Sequence, residues 1–132
     1  MENGYIYIQD NIFPSLFAIS HEEQAKGLMH QPFPPPIMSF IYSRAQVNKF
    51  WMKNTPSPLD IVFCNNGRIL QICKGEPYST STIGNDTFSN LVIEFPYGTI
   101  KNSSIKIGHQ VGLVKPTYSE LKKIAAEKYG IF

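Results

Sequence analysis

The 132-residue chain sets 12 Lys and Arg against 10 Asp and Glu, a formal charge of +2, which is too even for the concentrated basic surface of a phosphate-driven nucleic-acid binder. A hydrophobic share of 42%, with nine Phe and seven Tyr, excludes a disordered chain and suffices for one core, so a single domain over residues 1–132 is expected. No apolar run nears the roughly 20 residues of a membrane-spanning helix, and the polar start Met1-Glu2-Asn3-Gly4 is no signal peptide, which predicts a cytoplasmic protein without membrane contact.

Residues 5–8 and 12–20 are rich in aromatic and β-branched side chains around the turn chemistry of Asp10-Asn11, and they predict two strands. Ser20 opens a short helix near residues 21–28. Its hydroxyl can accept the amide of Glu23, whose carboxylate can reach back to the Ser20 amide, a capping box. The prolines of Gln31-Pro32-Phe33-Pro34-Pro35-Pro36 delete amide donors, stop the helix and impose an extended crossing. Short strands are expected at 37–42, 47–52, 59–64 and 68–73, in the rhythm of sandwiches and barrels. Residues 74–86, aperiodic and rich in Ser and Thr, read as a long loop of the kind that can serve as a lid. A strand at 87–95, a turn at Pro96-Tyr97-Gly98, one helical turn within 99–104 and a strand at 111–114 follow. A second capping box at Thr117 and Glu120, with Leu121, Ile124 and Ala125 on one face, predicts a C-terminal helix within 117–129.

Two cysteines, Cys64 and Cys73, flank Asn65-Asn66-Gly67. A two-residue type I′ hairpin there sets Cys64 opposite Ile69 and Cys73 opposite Asp60, beyond disulfide reach at about 3.3 Å per residue, so both are expected as reduced, half-buried thiols. The same register places Leu59, Ile61, Phe63, Leu70 and Ile72 on one apolar face. Asp60, Val62, Cys64, Ile69, Gln71 and Cys73 fall on the other.

The segment Phe50-Trp51-Met52-Lys53-Asn54-Thr55-Pro56-Ser57-Pro58-Leu59-Asp60-Ile61-Val62-Phe63, followed by Asn66-Gly67-Arg68-Ile69, resembles the signature of the Domain of Unknown Function 192 family. Glu22-Glu23 with Lys26-Gly27-Leu28-Met29 is similar to that family's acidic pair and Arg-Gly-Leu-Met turn, with Lys for Arg. Val92-Ile93-Glu94 and Ile107-Gly108 resemble its later landmarks, with His109 where the family has Asp. The likeness spans about 17–114, leaving the C-terminal helix as an extension. It implies a mainly β fold, a compact β-sandwich or jelly-roll-like barrel, and no established reaction.

Within this segment Trp51 offers a flat face for stacking, and Lys53 a cation in a lightly charged stretch. Asn54 suits a turn. Asp60 either borders a ligand or locks the 55–58 loop by accepting its amides or the Asn54 side chain. Glu94, after Leu91-Val92-Ile93, lies at a rim or is paired with a cation such as Lys53. Motifs for a phosphate loop, a serine elbow or a zinc site are missing from the sequence. His21, His30 and His109 stand far apart, so no metal and no cofactor is expected. Specific polar residues without a nucleophile point to a noncatalytic module that binds a small molecule or a protein through Trp51, Lys53, Asn54, Asp60 and Glu94. Two alternatives stand beside it. One is a small hydrolase or transferase using Asp60 and Glu94 as acid and base; the other is a structural accessory protein docking through the proline crossing or the C-terminal helix.

Overall fold

A computed structural model describes residues 1–114; the C-terminal helix expected within 117–129 lies outside the described residues. Strands β1 (Glu2–Ile8) and β2 (Asn11–Ala18) form the first hairpin. Helix α1 (His21–Lys26) starts at the expected capping box: the Glu23 amide donates to Ser20 Oγ at 3.1 Å and the Ser20 amide to Glu23 Oε1 at 3.0 Å. The proline crossing then delivers β3 (Met38–Val47) parallel to β2. Strands β4 (Leu59–Asn65) and β5 (Arg68–Gly75) turn at Asn66 and Gly67, whose φ values of 50° and 75° suit a tight hairpin. Strand β6 (Phe88–Pro96), the single-turn α2 (Thr99–Asn102) and β7 (Val111–Val114) complete the described chain.

The fold is mainly β. All seven described strands belong to one sheet in the order β5-β4-β6-β3-β2-β1-β7, antiparallel except for β2 with β3. The sheet curls until its two edges nearly meet: Arg68 of β5 bridges to Gln110, and the Ile69 amide donates to the His109 carbonyl at 3.1 Å. Curling gives the sheet an inner and an outer face, and both are apolar. Ile6, Ile8, Phe17, Val62, Ile69, Ile93 and Phe95, drawn from strands near both edges, fill the inside with Ile100 and Ile105. The outer face carries Met38, Phe40, Leu59, Ile61, Phe63 and Val92, covered by Leu28 after α1 and by Met52 of the loop between β3 and β4.

Three expectations need correction. Residues 47–52 are not a strand: β3 runs on to Val47 through an irregularity between Ile41 and Gln46, and the chain then leaves the sheet to lay Met52 onto its outer face. Leu70 and Ile72 do not share a face with Leu59, Ile61 and Phe63. A β-bulge leaves Leu70 unpaired and 44% exposed, and every residue after it is shifted by one, so that Ile72 pairs with Val62 and packs on the inner cluster. For the same reason Cys73 lies opposite Ile61 rather than Asp60. Cys64 and Cys73 are both free thiols, on opposite faces of the sheet.

The long loop before β6 is pinned to the loop before β4 by backbone bonds from Met52 to Ser79 and from Tyr78 to Thr55. Gly84, at φ +85°, lies so close to the Phe63 ring that an added Cβ would collide with it. Together these loops cover the outer core. Among the described residues no helix is long and apolar enough to cross a membrane.

Candidate functional site

Side chains alternate along β6, so Ile93 and Phe95 point into the curled sheet while Val92 and Glu94 point out of it. Glu94 pairs with Met38 on one side and Ile61 on the other, which sets a carboxyl among apolar neighbours. It is only 4% exposed, and among the described residues no hydrogen bond or ion pair reaches it. Burial disfavours its charged form and pushes it up to about 8 from an ordinary 4.5.

Space is left above this carboxyl. A cavity of about 310 Å³ has Glu94 and Phe40 in its wall of sheet, His21, Lys26 and Gly27 on the α1 side, and Tyr42, Lys49 and Trp51 around the remainder. Gly27 follows the helix at φ +50° and passes close to the acid; a Cβ built there would stand 3.8 Å from Glu94 Oε1 and 3.5 Å from the Phe40 ring. The half-buried Tyr42 phenol is held above its ordinary range, first by burial and then by the negative charge Glu94 can carry. Lys26 and Lys49 form no ion pair among the described residues. A larger depression of about 540 Å³ between the first hairpin and the proline crossing is lined by Tyr5, Leu16, Ile37 and several prolines, with neither acid nor cation among the described residues.

Of the five residues singled out in the sequence, two meet at this cavity. Trp51 is 46% exposed and forms part of its wall, and Glu94 forms part of its base. Lys53 is one contact removed, its ammonium 5.2 Å from the centroid of the Trp51 ring. Asn54 occupies a left-handed turn position at φ 56°, and its carbonyl accepts the His30 amide at 2.8 Å, tying the loop to the segment after α1. Asp60 is elsewhere. It is 7% exposed on the inner face, and its Oδ2 accepts the amides of Gly98 and Ile100, each at 3.0 Å. The amides it locks belong to the turn after β6, not to the 55–58 loop.

The register between β4 and β6 pairs Asp60 with Phe95 and Ile61 with Glu94, so the two carboxyls project from opposite faces of the sheet. No substrate can sit between them. Neither is Glu94 at a rim or paired with Lys53, as its place after an apolar run suggested. Sequence reasoning missed Tyr42 and Lys49, which carry no local signal. Gly27 was on view within Lys26-Gly27-Leu28-Met29, but its part in the cavity depends on the fold.

The solved structures agree with this architecture. A candidate transcription regulator from Sinorhizobium meliloti 1021 superposes with a TM-score of 0.78 at 24% identity over 85% of this chain and 94% of its own, a likeness of fold. A protein of unknown function from Novosphingobium aromaticivorans DSM 12444 gives 0.72 at 28% identity over 83% of each chain. No curated protein matches the sequence significantly. The family profile described as uncharacterized ACR matches residues 9–113, which takes in β2 to β6 whole and most of β7, the helix beside Glu94 and the Trp51 loop, and on that extent the chain belongs to the Domain of Unknown Function 192 family.

Proposed function

We propose that this protein is a noncatalytic binding module that seats a small organic molecule in the cavity above Glu94, with Trp51 as one wall. One observation carries the reading: a buried carboxyl borders an open space and has no partner among the described residues. Burial takes most of the hydration from this carboxyl at a cost in free energy, while its oxygens still border the cavity. A ligand that bonds to Glu94 removes that cost, and the cavity is of a size used for small molecules. The placement of Asp60 across the sheet favours binding over acid and base chemistry, because among the described residues Glu94 has no second carboxyl facing it in the cavity lining.

Three probes of one shape and different charge test this: benzoate, benzyl alcohol and benzylammonium, each titrated into the ¹⁵N-labelled protein. At least one of them is expected to shift the Gly27 amide and the Trp51 indole signals. Trp51→Ala should weaken that binding about threefold to tenfold, the worth of a lost aromatic contact. If none of the three moves these signals at millimolar concentration, the cavity is not a binding site.

A further inference from the structure

Resting on that reading, we infer that the ligand is a small organic monoanion, most simply a carboxylate, received by Lys26 and Lys49 and hydrogen-bonded by Glu94 acting as a donor. The charges that line the cavity decide its sign. Among the described lining residues Glu94 is the one acid, against Lys26 and Lys49. Glu23 of the same helix turns away, its Oε1 holding the amides of Ile19 and Ser20 and its Oε2 the chain's amino terminus at 3.4 Å. With Glu94 ionised the described lining still carries one net positive charge, and with Glu94 protonated it carries two. An organic cation meets repulsion in both states, whereas an anion meets attraction.

The floor points the same way. Burial holds the proton on Glu94 at neutral pH, so the carboxyl presents an O–H to the cavity. A hydroxyl donor facing an ionised oxygen makes a short, charge-assisted bond. A ligand ammonium would find no counter-charge there until that proton had left. The other titratable groups facing Glu94 across the cavity are His21 and Lys26 on α1, Tyr42 on β3 and Lys49 in the following loop. The Tyr42 phenol is held above its ordinary range and stays neutral throughout the window used below.

The experiment repeats the three titrations at pH 7 and pH 9. Benzoate is expected to bind more tightly than benzyl alcohol, with benzylammonium weakest, and its affinity should fall about tenfold between the two pH values as Glu94 ionises around 8. Glu94→Gln keeps an N–H donor and should bind benzoate with no such fall. His21→Gln should retain it, and Lys26→Gln with Lys49→Gln should weaken benzoate alone. If benzylammonium binds best, or benzoate affinity is level or rises from pH 7 to pH 9 in the unmodified protein, the anion is the wrong class while the cavity stands as a site. If no probe shifts the Gly27 and Trp51 signals, the binding reading falls with it.

Discussion

Glu94 and Glu23 are carboxylic acids driven in opposite directions by their surroundings. Glu23 lies outside the core and accepts two backbone amides at the start of α1, bonds that favour its ionised form and lower it to about 2. Glu94, buried on the outer face of the sheet with no hydrogen-bond donor to it among the described residues, is raised by burial to about 8. The folded protein therefore keeps on Glu94 a proton that the unfolded chain releases above about 4.5. Its contribution to stability is full below that value and declines as pH rises toward 8, by at most about 1.4 kcal/mol per pH unit. The stability that Glu23 adds is present above about 4.5 and lost as pH falls toward 2, so it does not change in the Glu94 window. Urea denaturation at pH 5 and pH 8 should show a decline in the wild type that Glu94→Gln abolishes. Equal declines in the two proteins would assign the slope to other groups.

Among elements, the junctions rather than the strands depend on single polar side chains. Asp60 ties β4 to the turn from β6 into α2, and without it two amides, one of them buried, lose their acceptor. Asp60→Ala is expected to destabilise the fold by about 3 kcal/mol, the scale of broken bonds to a charged acceptor. Asp60→Asn, which keeps one carbonyl oxygen, should cost less. Both variants should leave probe binding at Glu94 unchanged, since the sheet stands between the two sites. Altered binding with intact stability would place Asp60 in the site after all. Helix α1 is held in the same local way, at six residues too short to persist without its capping box and the packing of Leu28 behind it.

Viewed as a whole, the molecule is most tightly built where β4 and β6 run side by side in the middle of one limb of the sheet. Both have a paired strand on each side and apolar layers over each face, with Ile61, Val62, Phe63, Val92 and Ile93 fully buried. Native-state hydrogen exchange should be slowest at these residues, and faster at the edge strand β7, which among the described strands pairs along its length with β1 alone and carries only half-buried side chains. Protection of β7 equal to that of β4 and β6 would mean that the sheet opens as one unit. Much of this layout was legible from short stretches of chain. The Ser20 and Glu23 capping box, the Asn66-Gly67 hairpin, the proline crossing and the final strand are each specified by residues within a few positions of one another. Where one long-range pairing had to be known, reading stopped. The bulge at Leu70 has no local marker, yet it shifted Ile72 to the inner face and Cys73 to a different partner. Trp51 and Glu94 were singled out by residue type, but so was Asp60, and only the register of β4 against β6 separates them. By itself the sequence determined the mainly β fold, most of the described elements in their order and the family, because capping, turn chemistry and alternation act over a few residues. The tertiary structure decided which polar groups share a space, because a shift of one residue in strand pairing exchanges the faces of a sheet.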